Sequence, residues 1–256
     1  MTYTDTTIQT SLLENTISDE EINKIIRDTT DQPDVSWYSF KFCTPELNKE
    51  CPNPGYMVIK QETTLSKKFD NQLIHSYECY GEFTEDTYLN YDLYFEATYP
   101  YSLIRSTYCI KTKKKLTESA DVYYNNQELV SNIFKNKNNT TINQGNIIYT
   151  LKNHLASDFW SNSFERKIND NKQFFKLDIE TGLLTEETHE IIDFEDNNKD
   201  RLTRTKVYSI DINDGEPLVE EFLTNSKYEL LEIYEKNYLI TGKLTSKEKI
   251  FSKNIN

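Results

Sequence analysis

Glycine is scarce in this chain. Its 256 residues include only 6 glycines, and the closest two, Gly55 and Gly81, are 26 positions apart. Loops that cradle phosphates need clustered glycines, because only a residue without a Cβ lets the backbone approach the ligand and adopt the unusual φ angles of those turns. The sequence therefore excludes a P-loop, a Rossmann fingerprint and a nucleophile elbow. The usual routes to ATP, NAD and α/β-hydrolase chemistry are excluded with them.

Histidine is also rare, with 3 residues in the whole chain, and neither a CxxC nor an HExxH motif is present. Glu187 and His189 have the spacing to share one face of a strand, and His154 and Asp158 have the spacing to share one face of a helix. Such pairs are more often solvated surface pairs than ligands. We therefore predict no metal ion and no other cofactor.

A basic leader and a long apolar run are missing as well. The first residues, MTYTDTTIQT, have neither a basic n-region nor an apolar h-region, and no window approaches ~18 uninterrupted apolar residues. This pattern predicts a cytoplasmic protein, in which the four cysteines (Cys43, Cys51, Cys79 and Cys109) stay reduced. A clip between Cys43 and Cys51 is the alternative if the protein is exported.

Positive charge is in short supply. Acidic residues number 42 against 29 basic ones, which gives a net charge of −13. Such a surface repels nucleic-acid phosphates and anionic membranes, so neither is expected as a partner, whereas a basic protein is compatible with it. The basic run at residues 111–115 is interpreted as a solvated hairpin end, with a phosphate patch as the alternative.

Tyrosine, by contrast, is abundant, and it is concentrated in a stretch of alternating residues. Between Leu73 and Lys111, apolar residues recur at every second position, as in Leu89, Tyr91 and Leu93. A period of two is typical of a half-buried strand, whose successive side chains point to opposite sides of the sheet. The stretch therefore predicts three neighbouring strands with one apolar, tyrosine-rich face.

The clearest helix signal lies near the N-terminus. Ser18 followed by Glu21 forms a capping box, Ile17 and Ile22 can staple across it, and acidic residues occupy the first turn. Further along, glycines mark hairpin turns, as Gly182 does between two strand-like segments. We predict a mostly β fold, an antiparallel meander that forms a bent sheet or a lipocalin-like barrel, with a short N-terminal helix.

The domain prediction is a disordered N-terminus over residues 1–16 and a single β-rich domain over 17–251. The polar segment 135–145 is interpreted as a loop that marks an internal boundary or a lid. Just before it, residues 127–134 have apolar side chains at helical spacing and predict a short helix. Residues 146–151 predict a strand, and the charged tail from Thr245 predicts an edge strand.

The candidate site lies on the predicted inward face. His75 is the first candidate for an acid, a base or a hydrogen-bonding group, because its pKa lies near neutrality, and its alternative is a core histidine satisfied by its neighbours. Arg105 is the second candidate, as an anchor for a carboxylate, with an outward ion pair as its alternative. The predicted ligand-binding set is Trp37, His75, Tyr77, Tyr91, Arg105 and Tyr108.

These residues support a soluble intracellular protein that binds a small hydrophobic or planar ligand, with a ligand-modifying activity left open. Tyrosine and tryptophan offer an apolar face and a polar tip to such a ligand, although aromatic residues on strands are more often plain core. The alternative is an acidic protein-binding accessory, inhibitor or immunity-type factor without catalysis. A third hypothesis is an enzyme that uses His75 and Arg105.

Overall fold

The computed structural model describes residues 17–42, 55–84, 86–197, 200–210, 217–235 and 240–252. The predictions for residues 1–16 and for a Cys43–Cys51 clip fall outside these ranges. Within them, the helices are α1 (Asp19–Asp31), α2 (Leu151–Ser161) and α3 (Lys247–Ser252). The strands are β1 (Asp34–Phe42), β2 (Gly55–Ser66), β3 (Gln72–Thr84), β4 (Thr87–Glu96), β5 (Leu103–Thr112), β6 (Lys115–Asn125), β7 (Glu128–Lys135), β8 (Asn138–Asn143), β9 (Asn171–Leu177), β10 (Leu184–Asn197), β11 (Asp200–Ile210), β12 (Pro217–Thr224), β13 (Leu230–Glu235) and β14 (Ile240–Thr245).

The described residues pack into two compact units. Unit 1 lies within Met1–Val35, Val58–Ala156 and Phe175–Thr185, and unit 2 lies within Ser36–Met57, Ser157–Phe174 and Glu186–Asn256. The prediction of one β-rich domain over 17–251 concerns folding as one cooperative body, and it stays a prediction.

Both units are antiparallel meanders. The strand order is β8-β7-β6-β5-β4-β3-β2 in unit 1 and β1-β14-β13-β12-β11-β10-β9 in unit 2. Almost every strand therefore pairs with its neighbour in the chain, because short turns join antiparallel strands directly. The predicted fold class, a mostly β protein with an antiparallel meander and a short N-terminal helix, is confirmed.

The core of unit 1 lies on one face of its sheet. Tyr77, Leu93, Ser106, Val122 and Ser131 form one row across β3 to β7, and all five are buried. They lie on one face because cross-strand partners point to the same side. We call this side the core face.

Helix α1 forms as its sequence predicts. The Ser18 hydroxyl accepts a hydrogen bond from the Glu21 amide at 3.2 Å, and the Glu21 carboxylate accepts one from the Ser18 amide at 2.9 Å. Ile22 and Ile26 form the buried stripe of the helix. The predicted capping box is thus confirmed.

In unit 2, β11 has a polar buried face. Arg201, Thr203, Thr205 and Val207 alternate along the strand and are all buried. The Arg201 guanidinium donates to the carbonyls of Ser163 at 2.7 Å and Arg166 at 2.9 Å. These bonds hold the segment after α2 against β11.

The segment 127–145 corrects two predictions. Residues 128–135 form strand β7 instead of a helix, and the predicted loop or lid at 135–145 contains strand β8, which pairs with β7. The turn between them uses Asn136 and Lys137 at φ 54° and 66°, so a tight turn forms without glycine. Pairing on both sides outweighs the helical spacing of the apolar residues, because each strand satisfies the hydrogen bonds of its neighbour.

Two further predictions are wrong. Residues 146–151 form only an isolated bridge, between Ser102 and Thr150, before α2 begins, and the tail after Thr245 forms α3. None of the helices within the described ranges has the length and apolar composition that a membrane crossing requires.

Candidate functional site in the core of unit 1

His75 is central to the core of unit 1. It lies on β3 opposite Phe95 of β4, and its side chain is fully buried. Alternation along β3 places His75, Tyr77 and Cys79 on the core face, as the sequence predicts. A titratable ring is therefore held in an interior that excludes water.

Two threonine hydroxyl groups form a chain of hydrogen bonds that ends at one nitrogen of this ring. His75 Nδ1 is 2.8 Å from Thr63 Oγ1 on β2, and Thr63 Oγ1 is 2.6 Å from Thr29 Oγ1 on α1. Both threonines are buried. These hydrogen bonds join α1 to β2 and β3 through Thr63.

The other nitrogen of His75 is different. Nε2 is buried and has no hydrogen-bond partner among the described residues. A buried polar atom without a partner costs about 1–3 kcal/mol, so proteins rarely leave one unexplained. Nε2 can therefore accept or donate one further hydrogen bond.

A cluster of aromatic rings begins beside His75. The Tyr77 ring lies edge-on to it with centroids 5.1 Å apart, and the His154 ring of α2 lies 4.9 Å from Tyr77 and 5.6 Å from Phe95. Phe95 in turn lies 6.5 Å from Tyr149. The chain's first two histidines thus meet in one cluster of rings.

Both histidines are neutral at ordinary pH. Burial lowers the pKa of His75 to about 4. Burial, the Lys176 charge and His75 together lower the pKa of His154 to about 3. The Lys176 ammonium donates to the His154 backbone carbonyl, which explains why this charge lies near the ring.

The sequence pattern does not place His154 in the site. It pairs this residue only with Asp158, four positions further along a helix, and that helix is present as α2. Thr150 and Asn153 exchange hydrogen bonds at the start of α2, and Lys152 pairs with Asp19 of α1. No local pattern could have revealed the contact with Tyr77, because it depends on how α2 packs on the sheet.

Tyr108 and Tyr91 lie on the core face with His75. They are cross-strand partners, and Tyr108 is buried with a hydroxyl that has no hydrogen-bond partner in the described part of the chain. Burial, followed by the charges of Glu180 and Glu118, raises the pKa of Tyr108. Nearby, burial raises the pKa of Cys79 to about 12, so this thiol is not a nucleophile at neutral pH.

Arg105 lies on the opposite face of the sheet from His75. A bulge explains this placement: Phe95 pairs with Leu103, but Tyr94 pairs with Arg105, so Ile104 is an extra residue that reverses the alternation. Arg105 binds Asp121 through two hydrogen bonds of 2.8 Å and is partly exposed. The structure does not bring the two predicted catalytic candidates together.

Trp37 and His189 belong to unit 2. Trp37 stacks on Tyr56 with centroids 6.1 Å apart. His189 Nε2 lies 3.0 Å from a Glu187 oxygen, so the predicted pair does share a strand face. In the part of the chain that the structure describes, no three His, Cys, Asp or Glu side chains come together as metal ligands.

Comparison with known proteins shows the fold alone. No family model matches the chain, and no curated protein matches it. A solved structure, a beta-barrel-like protein of Domain of Unknown Function DUF1849 from Brucella abortus, is similar with a TM-score of 0.55 and 12% identity, over 84% of this chain and 96% of that one. At this identity the likeness establishes a shared β-barrel-like fold.

Proposed function

We propose that this protein binds a small planar or hydrophobic molecule in the core of unit 1, at the cluster around His75. The observation that carries the proposal is the buried Nε2 atom of His75, which has no hydrogen-bond partner in the described ranges. The Tyr77 ring lies edge-on to this histidine, and His154 and Phe95 extend the cluster of rings from there. Small-molecule sites combine an apolar lining with a few polar groups that orient the ligand. The His75 cluster has this composition.

The role of His75 in this proposal is hydrogen bonding, not proton transfer. A catalytic base works best when its pKa lies near the working pH, whereas the pKa of His75 is about 4. The ring therefore stays neutral and presents one fixed polar atom to the ligand. Arg105, bound to Asp121 on the other face, has no part in this site.

The chain's three histidines allow a direct test. 2-Naphthol, a neutral planar molecule with one O–H group, is titrated into protein labelled with 15N and 13C in its histidines. We expect the ring signals of His75 and His154 to shift together and saturate, while His189 in unit 2 stays unchanged. Assignment comes from the three single His→Gln variants.

Arg105→Gln is the matched control, because it removes a side chain of the same sheet on the opposite face. Its affinity for 2-naphthol should equal that of the parent protein. The proposal is wrong if neither unit 1 histidine responds at a saturating concentration of 2-naphthol, or if only His189 does.

Three other expectations remain predictions. Cytoplasmic location and the exclusion of nucleic acid and membrane as partners rest on the composition of the chain. The alternative function, an acidic accessory for a basic protein, rests on the net charge of −13 alone.

A further inference from the structure

The donor and acceptor of each hydrogen bond beside His75 can be assigned from the position of Thr29. Thr29 Oγ1 lies 3.0 Å from the Ile25 carbonyl and 3.1 Å from the Ile26 carbonyl, and the hydroxyl has a single hydrogen to donate. A helical threonine commonly donates that hydrogen to a carbonyl of the preceding turn. With its hydrogen used in this way, Thr29 Oγ1 can only accept in its hydrogen bond with Thr63.

The donor assignment at Thr29 determines which nitrogen of the His75 ring carries the proton. If Thr29 accepts, Thr63 must donate across the 2.6 Å contact, and Thr63 can then only accept from His75 Nδ1 across the 2.8 Å contact. The proton of the neutral imidazole is therefore on Nδ1, and Nε2 has a lone pair.

The opposite assignment of donors and acceptors along these hydrogen bonds is less favourable. It would place the proton on Nε2, where the described residues supply no acceptor. Buried N–H groups without an acceptor are rarer in proteins than acceptors without a donor. The threonine chain and the unpaired atom thus favour the same tautomer.

We infer that Thr29 and Thr63 fix His75 as a hydrogen-bond acceptor, so that the ligand of the proposed site is a planar molecule with a neutral N–H or O–H donor, such as an indole or a phenol. This inference rests on the proposed function and names its ligand class. A carboxylate is excluded, because a neutral ring with a lone pair at Nε2 offers it no donor. Thr29 and Thr63 are positioning residues, because they act through His75.

The tautomer can be measured without any ligand. Long-range 15N–1H correlation distinguishes a ring nitrogen that carries hydrogen from one that does not. We expect the protonated signal at Nδ1 of His75 in the parent protein and in Thr63→Ser, which keeps the hydroxyl. Thr63→Val should lose this preference.

The ligand class is tested with three probes of similar shape: indole, 1-methylindole and naphthalene. Only indole has an N–H donor. A neutral hydrogen bond contributes about 1 kcal/mol, so indole should bind about 3- to 10-fold more tightly than 1-methylindole, and His75→Phe should abolish the difference. Thr63→Ser should retain it.

The outcomes separate this inference from the proposed function. Equal binding of all three probes to the unit 1 histidines, or a proton on Nε2, would overturn the inference and leave the binding function standing. Absence of binding by every probe, 2-naphthol included, would overturn both.

Discussion

At the scale of single residues, His75 and His154 contribute to how unit 1 responds to acid. The folded pKa of His75 is about 4 and that of His154 is about 3, while an exposed histidine titrates near 6.5. Below that value the unfolded chain binds more protons than the folded one, so folding stability falls as the pH falls.

We therefore predict that the free energy of unfolding decreases from about pH 6.5 to pH 4, and that His75→Gln decreases less over this range. Glutamine keeps hydrogen-bonding capacity but does not titrate. Urea denaturation at several pH values measures the difference. Parallel curves for the two proteins would show that His75 is protonated in the folded state as well.

Gly182 is a second residue whose substitution should change stability. Its φ is 65°, and a Cβ there would lie 2.7 Å from Val122 Cγ2 on the core face. Gly182→Ala should cost about 1–3 kcal/mol, through both the left-handed backbone and the clash. Chemical denaturation gives the value.

A double-mutant cycle separates the two causes. In a Val122→Ala background the clash is relieved but the backbone strain stays, so the cost of Gly182→Ala should become smaller. An unchanged cost would assign the whole effect to the φ angle.

At the scale of elements, α1 covers His75 and supplies Thr29 to it. Its stability depends on the capping box, because the Ser18 hydroxyl satisfies an amide at the helix start. Loosening α1 should therefore loosen the hydrogen bonds at His75.

We predict that Ser18→Ala costs about 1 kcal/mol and speeds amide exchange of Ile26 and Thr29. Glu20→Gln is the control, since Glu20 lies in the same turn but outside the capping box. Hydrogen exchange followed by NMR tests both. Equal acceleration in the two variants would show that exchange at Ile26 and Thr29 follows general fraying of α1 instead of the loss of the cap.

At the scale of the whole molecule, the chain packs as two compact units, so it can unfold in one transition or in two. Its 2 tryptophans, Trp37 and Trp160, both belong to unit 2. Tryptophan fluorescence therefore follows unit 2 alone, while far-UV circular dichroism follows the strands of both units.

The prediction of one domain over 17–251 requires that the two signals change at the same urea concentration. Fluorescence at both tryptophans and circular dichroism on one sample make the comparison. Transitions at separate midpoints would divide the chain into two domains. Trp37→Phe retains Trp160 as a single reporter and checks that the fluorescence is not dominated by a local event.

Much of the fold follows from the sequence by itself. The capping box predicted α1, the period of two predicted β3 and β4, and the positive φ of Gly182 followed from glycine in a turn. These features depend on neighbours within a few residues, so local sterics and hydrogen bonding determine them. The scarcity of glycine, however, concealed tight turns made by other residues, as at Asn136 and Lys137.

The candidate site is likewise determined partly by local sequence and partly by tertiary structure. Alternation placed His75 and Tyr77 on the core face, because strand geometry alone decides that. Only the tertiary structure added His154 and Thr63, whose contacts join elements far apart in the chain, and moved Arg105 to the other face. A bulge of one residue, Ile104, did the latter, and it arises from pairing between strands, which no single segment encodes.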